Sequence, residues 1–284
     1  MAEDRDVLGR VSPVPDFRLA YGPHADHVAD VWVPAESRQP ARVPLVMIWH
    51  GGFWRSAFDQ QHLGSMAADL AARGYLVATP EYRRTGDEGG GGWPATFLDV
   101  AAAADLLPTA IAEAVPGIID PTRIIYAGHS AGGHLAVWAS LRDRLPIGAP
   151  GRIEQLPTVS GILALAPVLN LMEAWRLDLD EGAVALLLGG PPDEIPNRYA
   201  MTDPSQFGVP AANLTVVHGD RDGRVPIAMS RQYRDMVGGL LIEIKEGDHF
   251  SVIDPLAARW GQVVRALDDL AVVPVGQTLR SRKI

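Results

Sequence analysis

Residues 123–133, RIIYAGHSAGG, constrain the fold of this 284-residue chain more than any other stretch. An apolar, β-branched run predicts a strand, and the sequence HLAVWASLRD that follows has the pattern of a helix. Ser130 lies at the turn between them, with Gly128 and Gly132 two residues away on either side. Glycines there leave room for a tight backbone, and the helix start places amide donors near the serine. The stretch therefore predicts a nucleophile elbow, a sharp turn that lifts a serine out of a sheet.

The rest of the chain alternates strand patterns with helical ones. The other predicted strands are Phe17–Tyr21, His27–Val33, Pro44–Trp49, Tyr75–Thr79, Val159–Ala166, Leu214–His218 and Leu240–Lys245. Helices are predicted at Gln60–Ala72, Pro94–Ala114, Ser130 to about Asp143, Glu181–Leu188, Ile227–Met236 and Pro255–Leu270. The first two strands form an antiparallel entry, and Pro44–Trp49 is apolar throughout, which is typical of a strand buried on both faces. We predict an α/β fold with a mostly parallel sheet of about eight strands and helices on both faces.

We interpret residues 1–284 as a single domain, with a small cap-like segment around residues 168–205. The sequence shows no internal repeat and no linker between two domains. A length of 284 residues is ample for one large core. A tail is expected after Val275.

Composition excludes several classes of function. The net charge is −9 and no basic stripe is present, so a nucleic acid is not expected as a partner. The chain has no cysteine, which excludes disulfides, thiolate catalysis and zinc–thiolate sites. Residues 1–15 are charged and lack an apolar core, so no secretory signal is predicted, and no apolar run is long enough for a transmembrane helix. We expect a cytoplasmic enzyme with no membrane partner.

Ser130 requires a base and an acid. His249 is the best placed of eight histidines, because it follows the last predicted strand in the sequence Gly-Asp-His-Phe. The acid would fix the tautomer of that histidine. The segment HGDRDGRVP offers Asp220 and Asp222, and Asp222 is favoured because it lies one step deeper in the loop; Asp248 is a third option.

A second loop has the character of an oxyanion hole. His50-Gly51-Gly52-Phe53-Trp54 directly follows the apolar strand Pro44–Trp49. Gly51 and Gly52 let backbone amides turn inward, where they would join the amide of Ala131 in binding an oxyanion. Phe53 and Trp54 are candidates for lining a substrate pocket, and a tryptophan after a glycine turn, such as Trp54, is as often a packing anchor.

These motifs together resemble a known superfamily. HGGFW, GHSAGG, HGDRDGRVP and GDHF, in this order, are similar to the α/β hydrolases, over about residues 15–270. Within that superfamily the chain resembles the esterase/lipase branch that includes the arylformamidases, or kynurenine formamidases. The resemblance implies that Asp222 is the acid, and that Ser130, His249 and Asp222 carry out two-step acyl transfer without metal or organic cofactor.

The resemblance implies a small carboxylic ester or aryl formamide as the substrate. A hydrolase or acyltransferase that tailors a secondary metabolite is the alternative. A pseudo-hydrolase that binds a ligand without turnover is a third hypothesis, disfavoured because every part of the site is present. The sequence leaves the oligomeric state open, with a homodimer as one option.

Overall fold

The computed structural model describes residues 3–35, 42–86 and 90–272, so the tail predicted after Val275 lies outside the described residues. The strands are β1 (Phe17–Ala20), β2 (Val28–Trp32), β3 (Val43–Trp49), β4 (Leu76–Pro80), β5 (Ile119–His129), β6 (Gly161–Leu165), β7 (Asn213–Gly219) and β8 (Leu240–Ile244). The helices are α1 (Asp6–Gly9), α2 (Gly64–Ala72), α3 (Ala95–Ala114), α4 (Ala131–Ala139), α5 (Leu171–Arg176), α6 (Ala183–Leu188), α7 (Pro196–Thr202), α8 (Ile227–Val237) and α9 (Trp260–Val272). Short 3₁₀ helices lie at Gln60–Leu63, Arg142–Arg144 and Pro204–Gln206.

The strands form one sheet, in the order β1-β2-β4-β3-β5-β6-β7-β8 in the described part of the chain. β1 pairs with β2, and β2 with β4, in antiparallel register, and all the other pairs are parallel. The prediction of a mostly parallel sheet with an antiparallel entry is confirmed. Because β3 to β8 are parallel, the loops that follow them meet at one edge of the sheet, where α/β folds assemble sites.

The two faces of the sheet are covered by different helices. Successive residues of β3 point to opposite faces, and Met47 and Trp49 enter one core while Ile48 enters the other. Helices α3, α4 and α8 contribute to the first core, and α2 and α9 to the second. Both cores are built from fully buried apolar side chains, so the central strands are covered on both sides as their continuous apolar sequences predict.

Helix α3 is long and apolar enough to cross a membrane by length and composition, with a mean hydropathy of 1.4. Half of the relevant window is buried inside the protein. Its Asp99 pairs with Arg83, and its Asp105 pairs with Arg142. The helix also packs against α4. These contacts are those of a core helix.

Two predicted helices have different bounds, and three observed helices were not predicted. The last helix begins at Trp260 and not at Pro255, because the Asp254 side chain accepts a hydrogen bond from Leu256 N and stabilises a separate turn there. Helix α4 ends at Ala139, and the predicted continuation to Asp143 is a 3₁₀ turn. The short helix α1 was not predicted. Residues 168–205 contain α5, α6 and α7, of which only α6 was predicted.

Candidate active site

The predicted functional residues lie beyond the carboxyl ends of four parallel strands. The loop after β3 carries Gly51 and Gly52, and Ser130 follows β5 directly. Asp222 lies after β7, and His249 lies after β8. Since β3 and β5 are neighbours near the centre of the sheet, the glycine loop and the serine turn are adjacent.

Ser130 adopts the strained backbone of a tight turn. Its φ is 56° and its ψ is −118°, a conformation that costs a residue with a Cβ about 1–3 kcal/mol. The turn is fixed by a hydrogen bond from Ser130 N to Leu165 O at 2.8 Å. The side chain is buried, and its Oγ has no hydrogen-bond partner among the described residues. The hydroxyl is therefore available to a substrate or to a base.

The two glycines of the motif are required by close backbone approach. A Cβ on Gly132 would lie 2.0 Å from Trp49 O, and a Cβ on Gly128 would lie 2.1 Å from Gly132 O. Helix α4 can therefore start directly against the ends of β3 and β5. Ala131 is the first residue of α4, where backbone N–H groups have no partner within the helix.

The structure joins His249 to Asp222 and not to Asp220. His249 Nδ1 lies 2.7 Å from Asp222 Oδ2, whereas Asp220 accepts a hydrogen bond from Glu246 N. Asp222 Oδ1 accepts hydrogen bonds from Arg224 N and Val225 N, both at 2.8 Å. These contacts fix the carboxylate in the loop and leave its other oxygen for the histidine.

A second histidine also contacts Asp222. His218, at the end of β7, is fully buried, and its Nε2 lies 3.0 Å from Asp222 Oδ2 and 3.0 Å from Val225 O. Burial alone would raise the pKa of Asp222, but the hydrogen bonds of His218 and His249 hold this pKa well below its usual range. Asp222 is therefore ionised and acts only as an acceptor, so Nδ1 of His249 carries the proton.

His129, next to Ser130 in the sequence, connects the serine turn to the loop that carries His249. Its Nε2 donates to His249 O at 2.9 Å, and the two imidazole rings lie 4.6 Å apart between centroids. Burial lowers the pKa of His129 well below its usual value, which keeps the ring neutral. No sequence motif indicated that His129 would contact His249.

The glycine loop has an unusual backbone. Gly52, Phe53 and Trp54 all have positive φ angles, of 109°, 49° and 60°. A Cβ on Gly52 would lie 2.5 Å from Phe58 Cβ, and a Cβ on Gly51 would lie 3.0 Å from Ser130 Cβ. The loop thus approaches the serine closely, which is the position that oxyanion donors require.

Buried polar contacts hold this loop in place. His50 Nε2 lies 2.8 Å from Glu81 Oε1, and its Nδ1 lies 2.7 Å from Gly51 O. Tyr82 stacks on the His50 ring at 4.4 Å and donates to His50 O at 2.9 Å. Burial would raise the pKa of Glu81, but the contacts with His50 and Arg84 lower it. The loop is anchored by an ionised carboxylate.

A pocket of about 50 Å³ opens beside Ser130. Phe53 lines this pocket, but Trp54 lies fully buried in the hydrophobic core with its ring edge-on to His134. The remaining lining includes side chains that the sequence did not single out, namely Arg5, Leu8, Phe58, His62, Asp180, Arg224 and Phe250. Arg224 and Phe250 lie in the motifs HGDRDGRVP and GDHF, whereas the others come from distant segments without a recognisable motif, so no sequence signal marked those.

The sheet and the serine turn define the fold as that of the α/β hydrolases. The structure is similar to that of esterase B from Lactobacillus rhamnosis, with a TM-score of 0.72 and 19% identity, covering 92% of this chain and 88% of that one. The chain belongs to the BD-FAE family, an α/β-hydrolase esterase family whose model matches residues 29–237.

Curated relatives include two kinds of hydrolase. Kynurenine formamidase of Danio rerio is 27% identical over 249 residues, covering 84% of this chain and 75% of the relative. Esterase LipQ of Mycobacterium tuberculosis is 25% identical over 279 residues, covering 93% of this chain and 64% of the relative. The resemblance predicted from the motifs is confirmed, and the chain is an esterase- and arylformamidase-like α/β hydrolase.

Proposed function

We propose that this protein is a serine hydrolase that cleaves a small carboxylic ester or aryl formamide through an acyl-enzyme. The observation that carries the proposal is the 2.7 Å contact between His249 Nδ1 and Asp222, together with the position of His249 and Ser130 in the lining of one pocket. The similarity to esterases and kynurenine formamidases supports the same chemistry. The mechanism uses no metal or organic cofactor.

Asp222 defines the role of each nitrogen of His249. Because Nδ1 carries the proton that faces the carboxylate, Nε2 has a free lone pair and acts as the base. It takes the proton of Ser130 as the hydroxyl oxygen attacks the carbonyl carbon, and the ionised Asp222 stabilises the resulting imidazolium. His249 then protonates the leaving group, and later activates the water that hydrolyses the acyl-enzyme.

The oxyanion of each tetrahedral intermediate binds to backbone amides. Gly52 and Ala131 supply the N–H groups in this proposal, and Gly51 shapes the turn between them and β3. The start of α4 adds the positive end of a helix dipole. Loss of one such donor typically costs about 10²–10³ in rate, so the anchoring of the loop through His50 and Glu81 contributes to catalysis.

The size of the pocket favours a short acyl group. The pocket beside Ser130, of about 50 Å³, is narrowed by Gly52, Phe53 and Phe58, which favours a compact group next to the serine. Phe53 supplies an apolar wall there. Both esterases and formamidases occur among the relatives, so the proposal includes ester and formamide substrates.

The decisive experiment compares kcat/KM on N-formyl-L-kynurenine and on p-nitrophenyl acetate, with Ser130→Ala as the blank. We expect the wild-type protein to cleave at least one of them and Ser130→Ala to cleave neither. Labelling by a fluorophosphonate, which reacts covalently with an activated serine, provides a second readout. A folded protein that is neither labelled nor active on either substrate would favour the pseudo-hydrolase hypothesis instead.

A further inference from the structure

One wall of the pocket comes from a segment far away in the sequence. Residues 3–10, here called the strap, include α1, and Arg5 and Leu8 of the strap line the pocket beside Ser130. The strap precedes residues 29–237, the range matched by the family model.

The strap contacts both loops that carry the proposed acid and base. The Glu3 carboxylate accepts from Gly223 N at 3.2 Å and from Arg224 Nε at 3.0 Å, in the loop that holds Asp222. The Asp4 N–H donates to Asp248 Oδ2 at 2.8 Å, one residue before His249 in the sequence. Its position is thus set by the same loops that set the catalytic geometry.

Further contacts hold the centre and the end of the strap. Val7 is 2% exposed and packs in one of the two hydrophobic cores. Arg10 forms a two-pronged ion pair with Asp254. Arg5 lies over the Phe250 ring, 5.8 Å from its centroid. Leu8 is therefore held between a buried anchor and an ion pair, as part of a fixed wall.

Leu8 also lines a larger, solvent-open cavity next to the pocket. The adjoining cavity has a volume of about 400 Å³, against about 50 Å³ for the pocket at Ser130. Leu8, Phe58 and His62 line both spaces. Phe58 also contacts the glycine loop at Gly52, where it leaves no room for a Cβ. Of the shared residues, Leu8 is the one whose size can change without disturbing the oxyanion loop.

We propose that Leu8 is a specificity-determining residue, which limits the size of the substrate group accepted beside Ser130 by closing off the larger cavity. The inference rests on the proposed function and adds to it the residue that sets the size limit. A smaller side chain at this position would join the two spaces and admit a longer group. A larger side chain would tighten the limit.

Two substrate series test this inference with the whole 284-residue chain. The acyl series consists of p-nitrophenyl acetate, butanoate and hexanoate, and the alcohol series of methyl, butyl and hexyl acetate. For Leu8→Ala we expect the kcat/KM ratio of the longest to the shortest member to rise about tenfold or more in one series, because apolar contacts of a few methylenes discriminate to that extent. The series that responds identifies which side of the ester faces Leu8.

Matched variants complete the design. Leu8→Met keeps the side-chain volume and should leave both ratios unchanged, as should Leu256→Ala at a position that is 76% exposed. Leu8→Phe should lower the ratio of butanoate to acetate, or of butyl to methyl, and it tests the inference even where Leu8→Ala fails to fold.

The outcomes separate the inference from the function on which it rests. Unchanged ratios in both series for a folded Leu8→Ala or Leu8→Phe protein that still cleaves acetate overturn the role of Leu8 and leave the hydrolase intact. A wild-type protein that cleaves no ester and is not labelled at Ser130 overturns both.

Discussion

At the scale of single residues, Asp222 is where the hydrogen bonds of the site converge. Its two oxygens contact two backbone amides and two histidines. Asp220, two positions earlier in the same loop, contacts only Glu246 N through its side chain among the described residues. The choice between these two carboxylates, in which the sequence favours Asp222, becomes a choice between two different sets of contacts. The two positions form a matched pair for mutagenesis.

We expect Asp222→Asn to lower kcat by about 10⁴-fold while the protein stays folded. The amide oxygen can still accept from Arg224 N and Val225 N, but the amide nitrogen cannot accept the proton of His249 Nδ1. Steady-state kinetics on p-nitrophenyl acetate measures the effect, with circular dichroism as the check on folding. Asp220→Asn is the control and should keep near-normal activity; a large loss there and none at Asp222 would reverse the assignment.

The sequence predicts site residues where a motif follows a strong strand pattern. Ser130 and His249 each lie a few residues beyond an apolar strand, so their common edge follows from the parallel sheet alone. Phe53 and Trp54 show the limit of this reasoning. Both are aromatic, have positive φ angles and pack in the same hydrophobic core, but Phe53 also lines the pocket whereas Trp54 does not. Sequence patterning does not resolve side-chain direction in such a turn.

At the scale of elements, the close approach of helix α4 to strand β3 sets the position of Ser130. We expect Gly132→Ala to reduce the free energy of unfolding by about 1–3 kcal/mol or more, because the new Cβ would lie 2.0 Å from Trp49 O and backbone must move. Urea denaturation measures the change.

Gly261→Ala is the matched control for Gly132→Ala. Gly261 lies in α9, where a Cβ would meet only the flexible end of Arg265, at 3.4 Å. Alanine there should stabilise the protein, by up to about 1 kcal/mol, through its higher helix propensity. If both substitutions had the same small effect, the strand–helix contact would not be the constraint inferred here.

The oxyanion loop is an element whose geometry depends on a buried anchor. We expect Glu81→Gln to lower kcat by about tenfold or more with little change in KM, because the Glu81 carboxylate holds the oxyanion loop in place. It accepts hydrogen bonds from His50 Nε2, Gln60 N and Tyr82 N. Rates on p-nitrophenyl acetate over a range of concentrations separate the two constants. Glu243→Gln, which removes an exposed ion pair with Arg231, serves as the control. A change confined to KM would contradict a role in transition-state stabilisation.

Elements with strong periodicity were predicted well, and those fixed by tertiary contacts were not. The parallel strands and α3 follow from continuous apolar runs and helical spacing. Helices α5 and α7 are short, and α5 begins where Asp203, from a later segment, accepts hydrogen bonds from Leu171 N and Met172 N. The local hydrophobic pattern does not indicate a contact with a residue about thirty positions away, so residues 168–205 were the least predictable part of the fold.

At the scale of the whole molecule, buried neutral histidines link stability to pH. Burial lowers the pKa of His62 to about 3 and that of His134 to about 4, and burial also lowers the pKa of His129. His62 and His129 line the pocket, while His134 lies on α4 with its Nε2 donating to Thr202 O. Each of these rings is neutral in the folded protein but gains a proton in the unfolded chain below a pH of about 6.5.

The sign of the effect follows from this difference in bound protons. Between pH 6.5 and about 4 the unfolded state binds more protons at His134 than the folded state does, so the free energy of unfolding falls as the pH falls. Each such histidine contributes up to about 1.4 kcal/mol per pH unit.

We therefore expect His134→Gln to have a slope of unfolding free energy against pH that is lower by about that amount between pH 5 and 6. Urea denaturation at half-unit pH steps measures the two slopes. Equal slopes for His134→Gln and the wild type would show that this buried ring is not a source of the acid sensitivity.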